Sequence, residues 1–341
     1  MEKKMVFLSE APVRIDFAGG WTDAPPYSTE KGGSVVNAAI TLYMKAKVII
    51  NNPEQKKKVI IRSIDYDTVV EADSISSLKF DGNADFAKAA LRALPLDCNV
   101  ELVTSSDIPP GSGLGGSGAL GVALTAALSA ARGEKLIGTA VPEKARDIEV
   151  DELKVLGGKQ DQYAGMFGGF RYMRFKDPDV EMLPLPLTES TIADMCENSV
   201  LAYTGQSRES SMIHRNVVEA YRAGKRETLS ALDSIRVAAE AMKDALLQNN
   251  LNGFIEALNS NWDAQKALHI SITNDFIEKC FICAKEHGAI GGKALGAGGG
   301  GCLYFYCKEG KAYEVKEALK NINCAILKFD FDFRGMRLTK S

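Results

Sequence analysis

Residues 110–119 read Pro110-Gly111-Ser112-Gly113-Leu114-Gly115-Gly116-Ser117-Gly118-Ala119, a run in which glycine and serine dominate. An apolar, strand-like run at 100–103 precedes it, and an Ala- and Leu-rich, helix-like run at 119–131 follows it. A glycine loop between a strand and the N-terminus of a helix points several backbone N–H groups at one anion. Glycine is needed because a backbone that approaches a phosphate closely has no room for a Cβ. The run therefore predicts a phosphate-binding loop.

Three other interpretations of this loop are weaker. A Walker P-loop would close with Lys-Ser or Lys-Thr, and neither pair is present. A dinucleotide fingerprint would sit in a βαβ unit with an acidic residue about 20 positions further on. A flexible linker is disfavoured because Pro109-Pro110 and the following helix make the segment ordered.

Length and composition limit the class of protein. At 341 residues, the chain is long enough for two domains. A net charge of −3 gives no support for a nucleic-acid or membrane-surface role, so we expect neither partner. No apolar run approaches the ~20 residues of a membrane span, and a cytoplasmic location is the default.

Cysteine and histidine are not expected to supply the chemistry. Seven cysteines at irregular spacing argue against a disulfide framework. Cys280 and Cys283 form a C-x-x-C in a helical pattern, but no second pair completes a zinc site, so core packing is the better interpretation. Only three histidines are present, which disfavours histidine-based catalysis.

The order of elements predicts an α+β fold. Strand patterns come first, a glycine-bracketed loop is expected at 157–170, and helical patterns dominate the second half. We place the domain boundary between residues 187 and 188, giving domains 1–187 and 188–341. A second glycine run, Gly296-Ala297-Gly298-Gly299-Gly300-Gly301, lies between a helix and a strand and is expected to be ordered.

Two ordered glycine loops without a redox motif indicate a phosphate-rich ligand. Phosphoryl transfer needs amides that cradle anions, oxygens that hold magnesium, and a group that deprotonates or orients the nucleophile. Ser117 starts the helix after the loop, Glu149 lies on a later helix, and Asp161 is the one carboxylate of its glycine-bracketed segment. Taken alone, Glu149 is also typical of a solvated helix carboxylate, and Asp161 of a turn or N-cap residue.

Three motifs in order resemble the galactokinase, homoserine kinase, mevalonate kinase and phosphomevalonate kinase (GHMP) superfamily. They are Ala11-Pro12-Val13-Arg14-Ile15, the loop at 110–119, and Leu295-Gly296-Ala297-Gly298-Gly299-Gly300-Gly301, which together span most of the chain. The resemblance implies a two-domain fold, with a ribosomal-protein-like N-terminal domain and a ferredoxin-like C-terminal one. It also implies that ATP and Mg²⁺ bind in the cleft between them.

The resemblance also assigns roles to single residues. It implies that residues 110–117 wrap the ATP phosphates and that Ser117 and Glu149 hold the magnesium ion. Asp161 matches the aspartate that faces the substrate hydroxyl, and Arg14 the cation that stabilises it. The substrate-binding positions implied by the family are Asp23, Gly19, Gly20, Gly296 and Gly298.

Departures from the family pattern narrow the substrate. Gly19-Gly20-Trp21-Thr22-Asp23 replaces the Gly-Glu-His-Thr-Asp of galactokinases, and Gly116 replaces a common serine. These loops resemble two sugar 1-kinase branches, the D-glycero-D-manno-heptose 7-phosphate kinases and the L-fucokinases. The sequence at 203–211 favours the heptose branch, whereas Trp21 and Pro25-Pro26 favour fucokinase. Of the two we favour the heptose branch, with L-fucokinase as the alternative.

The expected partner is a small-molecule sugar or sugar phosphate, and a homodimer is left open. In either branch the acceptor would be the anomeric hydroxyl. A second substrate phosphate would need cations, for which the candidates are Arg171, Arg174, Arg208 and Arg215. A non-catalytic sugar or nucleotide sensor and a decarboxylase of the diphosphomevalonate type remain alternatives.

Overall fold

The computed structural model describes residues 3–154, 157–176, 178–206 and 210–341. The strands are β1 Met5–Ala18, β2 Gly33–Ile50, β3 Val59–Ser63, β4 Thr68–Ala72, β5 Val100–Ser106, β6 Phe170–Lys176, β7 Asp179–Pro184, β8 Ser199–Tyr203, β9 Ala289–Ala294, β10 Cys302–Cys307, β11 Ala325–Leu327 and β12 Arg337–Lys340. The helices are α1 Tyr27–Lys31, α2 Asp85–Ala93, α3 Gly116–Ala131, α4 Ala140–Asp147, α5 Gln160–Phe167, α6 Glu189–Asn198, α7 Ser210–Arg222, α8 Arg226–Leu247, α9 Leu251–Lys266, α10 Asp275–Glu286 and α11 Ala312–Asn321.

The larger sheet is built around one long strand, β2. Its first half pairs with β6, over 33–38, and its second half pairs with β5, over 44–50. The strand order is β12-β1-β2-β5-β3-β4, with β6 beside β2 and β7 beside β6. The β1–β2 pair shifts register between Pro12 and Val13. Such a bulge bends a strand and redirects its side chains, and Arg14 follows it directly.

Helix α3 is the core helix of this half. Its sequence is almost entirely small and apolar, and the residues from Val122 to Ser129 are buried. Burial on nearly every face is expected of a helix that lies between other elements rather than on the surface. It packs on β1 and β2 on one side and on α4 and α5 on the other. The sheet and neighbouring helices thus fix the position of its N-terminus.

The prediction of a loop at 157–170 is wrong in part, because α5 occupies Gln160–Phe167. The glycine pairs mark the ends of this helix, and Gly168, at φ +62°, follows its last residue. The residues between the pairs have no β-branched side chain and no proline, so Gly165 is the residue that most disfavours a helix there. The helix expected to carry Glu149 is also divided, because α4 passes into one turn of π-helix at Ile148–Glu152.

The smaller sheet has the order β11-β8-β10-β9, with every neighbouring pair antiparallel. Helix α6 lies before β8 in the chain, and helices α7–α10 lie between β8 and β9. Helix α11 lies between β10 and β11. A βαββαβ arrangement of this kind is the ferredoxin-like motif. The ferredoxin-like expectation for the C-terminal half is therefore confirmed.

The two sheets belong to one connected core. Strand β12 leaves the C-terminal half and pairs with β1 at residues 7–10. The Phe17 ring lies 5.3 Å from both the Phe254 and the Tyr304 rings, which joins β1 to α9 and β10. The division at residue 187 stays a prediction, since residues 337–340 share the sheet of the first half. Among the residues that the structure describes, no helix is long and apolar enough to cross a membrane.

The C-x-x-C cysteines lie in the helical packing of the second half. Cys280 is buried and its Sγ lies 3.5 Å from that of Cys324, while Cys283 is half-buried. Within the described ranges, no group of three or more histidine, cysteine, aspartate or glutamate side chains could hold a metal ion. This arrangement agrees with the core-packing interpretation.

Candidate active site

Arg14 and Asp161 form an ion pair that joins β1 to α5. Arg14 Nε and Nη2 both bind Asp161 Oδ1, at 2.8 and 2.7 Å, and Nη1 donates to the carbonyl of Gly113 at 2.7 Å. Arg14 is buried, whereas the Asp161 side chain is 27% exposed. The guanidinium therefore holds the carboxylate beside the glycine loop through one oxygen. Asp161 Oδ2 makes no hydrogen bond to any residue that the structure describes.

Two glycines of the loop allow Asp161 to lie against the N-terminus of α3. A Cβ on Gly115 would lie 2.8 Å from Asp161 Cγ, and one on Gly118 would lie 2.5 Å from Asp161 Cβ. Gly115 also has φ +77°, where other residues are strained. The glycine loop and the Asp161 carboxylate therefore both lie at the N-terminus of α3, which is the positive end of the helix dipole.

Ser117 and Glu149 meet on the other side of the same helix end. Ser117 Oγ donates to Glu149 Oε1, and Gln162 Nε2 donates to Oε2, both at 2.7 Å. Glu149 is buried, which raises its pKa, while the Ser117 hydrogen bond opposes that shift. The two residues predicted to bind magnesium thus form one polar pair.

The second glycine run supports the first. A Cβ on Gly113 would lie 2.5 Å from the carbonyl of Leu295, and one on Gly296 would lie 2.9 Å from Gly113 Cα. Cys302 N donates to the carbonyl of Ser112 at 2.7 Å. The second glycine run and Cys302 therefore fix the shape of the glycine loop at 110–119.

Other residues of these two runs serve the packing. A Cβ on Gly298 would lie 2.6 Å from the carbonyl of Ile272 rather than against the glycine loop at 110–119. Leu114 is buried and its carbonyl accepts from Arg14 N at 3.0 Å. The Pro110 carbonyl accepts from the Tyr203 hydroxyl at 3.4 Å. These contacts hold both runs in place around the ion pair.

Asp23 lies at the start of α5 and is buried. Its Oδ2 accepts from Gln160 N at 3.2 Å, and a Cβ on Gly158 would lie only 1.7 Å from the same oxygen. Burial raises the pKa of Asp23 to about 6, and the charge of Asp161 adds to this effect. Asp23 and Asp161 are therefore neighbours around the N-terminus of α5.

Gly19 and Gly20 lie in the same loop as Asp23, and both are in close contact with other protein groups. Gly19 N donates to Asn261 Oδ1 at 2.9 Å, and a Cβ on Gly19 would lie 1.9 Å from the carbonyl of Ser34. A Cβ on Gly20 would lie 2.1 Å from Asp16 Oδ2. Their contacts are with protein groups, so both positions require glycine for close packing.

The structure adds two features that the sequence analysis missed. Lys293 on β9 and Asp16 on β1 form a fully buried ion pair at 2.9 Å, and burial lowers the pKa of Lys293. The Trp21 and His214 rings stack with centroids 4.3 Å apart. The signal for the Asp16–Lys293 pair was a lysine inside the apolar, glycine-rich run at 289–294. No local pattern indicated the second.

The four arginines proposed for a second phosphate are not brought together by any observed contact. Arg171 donates to the carbonyls of Gly168 and Phe167, at 2.7 and 3.0 Å. Arg174 is exposed and pairs with Glu181, and Arg215 is exposed on α7. Arg208 lies outside the described residues.

Known proteins resemble this chain along nearly its whole length. Residues 84–169 match the family described as GHMP kinases N terminal domain, and residues 242–325 match GHMP kinases C terminal. The chain is 31% identical to the D-glycero-alpha-D-manno-heptose 7-phosphate kinase of Campylobacter jejuni, over 96% of this chain and 97% of that protein. It is 29% identical to the L-fucokinase/L-fucose-1-P guanylyltransferase of Bacteroides fragilis, over 90% of this chain but 35% of that protein.

A solved structure agrees as well. The crystal structure of a D-glycero-D-manno-heptose 1-phosphate kinase from Bacteroides thetaiotaomicron has a TM-score of 0.79 and 29% identity, and the match covers 98% of each chain. The resemblance inferred from three motifs and the two-domain fold that it implied are both confirmed. The chain belongs to the GHMP kinase family.

Proposed function

We propose that this protein phosphorylates the anomeric hydroxyl of D-glycero-D-manno-heptose 7-phosphate with ATP, giving the 1,7-bisphosphate. The observation that carries the proposal is the Arg14–Asp161 pair, held by Gly113 against the glycine-lined N-terminus of α3. Sugar kinases need an anion cradle and a proton acceptor side by side, and this pair supplies the acceptor. The name of the Campylobacter jejuni relative supports the choice of sugar.

Asp161 would take the proton of the sugar hydroxyl. Its Oδ2 is left without a partner among the described residues, and a general base must lie within hydrogen-bond reach of the proton that it removes. Arg14 favours the ionised carboxylate and the developing alkoxide through its positive charge. An anomeric hydroxyl is more acidic than an ordinary alcohol, which reduces the basicity that Asp161 needs.

The phosphate loop would bind ATP by its backbone. Residues 111–117 lead into α3, whose first N–H groups have no partner inside the helix. These groups and the helix dipole favour the negative charge of the transferring phosphoryl group. Phosphoryl transfer then forms the bond from the sugar oxygen to phosphorus as the bond to ADP breaks.

Ser117 and Glu149 fit a magnesium site. Mg²⁺ prefers oxygen ligands and is usually held by one or two carboxylates together with substrate phosphates and waters. The Ser117–Glu149 pair offers one buried carboxylate and one hydroxyl. A magnesium ion that is also bound by substrate phosphates does not need a group of three or more acidic side chains, which the described residues do not provide. Bound Mg²⁺ would neutralise charge on the phosphates, and Gln162 would keep Glu149 oriented.

Asp23 would bind a sugar hydroxyl. The glycines at 19, 20, 296 and 298 pack closely against other protein groups, and their backbone would form part of the wall of the sugar site. We place the reaction in the cytoplasm, where ATP is available. A homodimer stays a prediction, which size-exclusion chromatography with light scattering would test. No nucleic-acid partner is expected from the net charge of −3.

The test is an ADP-release assay with three acceptors: D-glycero-D-manno-heptose 7-phosphate, the unphosphorylated heptose, and L-fucose. We expect turnover with the heptose 7-phosphate, and a ³¹P spectrum of the product with one new anomeric phosphate. Faster turnover of L-fucose would favour the fucokinase alternative, which the Bacteroides fragilis relative supports. Sugar binding without ADP release would favour a non-catalytic sensor.

A further inference from the structure

Trp21 is held in an unusual backbone conformation at the edge of the site. Its φ is +82°, in the left-handed region that is strained for a residue other than glycine. Its side chain is nevertheless buried, in the same hydrophobic cluster as Ile213 and Val217 of α7. Strain of this kind persists where the surrounding structure fixes the residue, and it commonly marks functional sites.

His214 is the polar group that Trp21 supports. The two rings stack with an interplanar angle of 30°, and His214 is half-buried on α7. No hydrogen bond joins a His214 nitrogen to any residue whose side chain the structure describes, a set that leaves out residues 210 and 211, and neither nitrogen is fully buried without a partner. By contrast, His269 and His287 each use a ring nitrogen in a hydrogen bond with a neighbouring residue.

His214 is favoured in its neutral form, which suits an uncharged hydrogen-bond partner. Burial lowers its pKa, and the nearby negative charge of Asp161 raises it by a smaller amount. A neutral imidazole presents one N–H donor and one acceptor, the pair of functions that a sugar hydroxyl also has. The Trp21 ring, on which His214 stacks, belongs to the loop that carries Asp23, and Asp23 accepts a hydrogen bond from Gln160, the neighbour of Asp161. His214 is therefore linked by direct contacts to the part of the site where the acceptor hydroxyl would react.

We propose that His214 binds the sugar substrate directly, by exchanging a hydrogen bond with one of its hydroxyl groups, and that Trp21 positions the imidazole. The proposal rests on the sugar-kinase function above and adds a substrate-binding residue from the C-terminal domain. The galactokinase-like Glu-His side chains missing from the loop at 19–23 would be replaced in part by a residue about 190 positions away.

The substitution His214→Phe separates binding from packing. Phenylalanine keeps a ring to stack on Trp21 but has no nitrogen, so a substrate hydroxyl would lose its partner. We expect the sugar KM to rise about tenfold, with kcat and the KM for ATP changed less than about twofold. His214→Asn, which restores a donor and an acceptor without the ring, should recover part of the sugar KM.

His287→Phe is the matched control, because His287 is exposed at the end of α10 and its imidazole contacts only the Cys283 carbonyl among described groups. Its kinetics should equal those of the wild type. A sugar KM in His214→Phe within about twofold of the wild type would refute the inference, since the imidazole would then only support Trp21. Wild-type protein inactive on both the heptose 7-phosphate and L-fucose would instead refute the proposed function.

Discussion

Asp161 accepts both of its Arg14 hydrogen bonds through Oδ1, so its second oxygen is available to a substrate hydroxyl. Asp161→Asn keeps the size of the side chain and a carbonyl oxygen for Arg14 but removes the proton acceptor. Because a positioned general base contributes about 10²–10⁴-fold, we expect kcat to fall by this factor. The KM for ATP should change little.

Steady-state kinetics with the preferred sugar would measure this effect. Asp263→Asn is the control, because Asp263 is exposed on α9 and pairs only with Lys266 among the described ion pairs. Near-normal turnover in Asp161→Asn would show that the sugar hydroxyl is deprotonated without this carboxylate.

Asp23 gives the site a dependence on pH. Its pKa is raised from 3.8 to about 6, chiefly by burial. A carboxyl whose pKa is higher in the folded protein contributes stability that is complete below the unfolded pKa and is lost as the pH rises through about 6. Asp23→Asn cannot ionise, so relative to the wild type it should be more stable near neutral pH than in acid.

Urea unfolding at about pH 4.5 and about pH 7.5 would measure the free energy of unfolding of both proteins. From the lower to the higher pH, we expect the stability of Asp23→Asn relative to the wild type to increase by about 2 kcal/mol. The same variant should bind the sugar more weakly, because an amide replaces the carboxylate. An identical stability difference at both pH values would mean that Asp23 is ionised throughout. Asp263→Asn again serves as the exposed control.

At the scale of elements, the long periodic segments were predicted well and the short ones were not. Strand patterns were expected first in the chain and at 100–103, and β1 and β5 have apolar side chains on one or both faces, which is a local signal. Helix α5 was missed because its flanking glycine pairs suggested a loop, although glycines also mark helix ends. Strand β12 was missed since its pairing with β1 joins residues more than 300 positions apart.

The start of α5 depends on one glycine. A Cβ on Gly158 would lie 1.7 Å from Asp23 Oδ2, so Gly158→Ala must displace Asp23 or the helix that carries Asp161. We expect kcat/KM for the sugar to fall at least about tenfold, together with a lower melting temperature. Assays of initial rate and thermal unfolding would test both expectations.

Gly157→Ala is the matched control for this prediction. A Cβ on Gly157 would meet no described atom within 4 Å, and its backbone conformation is not left-handed. Its carbonyl, which accepts from Arg146 Nη2, is unchanged by the substitution. Equal losses in both variants would attribute the effect to chain stiffness rather than to contact with Asp23.

At the scale of the molecule, the site exists because two sheets and two glycine runs meet. The motif residues Arg14, Ser117, Glu149 and Asp161 were predicted from the sequence, through a family resemblance, and the structure brings them together in pairs. The contacts that hold the halves in place could not be predicted, because they join distant parts of the chain. Asp16 and Lys293 are 277 positions apart, and Trp21 and His214 nearly 200.

The Asp16–Lys293 pair is an ionic link between the two sheets, and both side chains are almost completely buried. Removing one partner of a buried pair leaves an uncompensated charge, which costs about 3–5 kcal/mol. We therefore expect Lys293→Met to lower the free energy of unfolding by this amount. Asp16 also lies against Gly20, so the loss should extend to sugar binding.

A double variant separates the charge from the packing. In Asp16→Asn/Lys293→Met neither charge remains, so its stability should exceed that of Lys293→Met alone, as denaturant unfolding would show. Lys57→Met is the control, because Lys57 pairs with Asp73 at the exposed surface and its loss should change stability little. If the double variant were less stable than either single one, the packing of these side chains, and not their charges, would join the sheets.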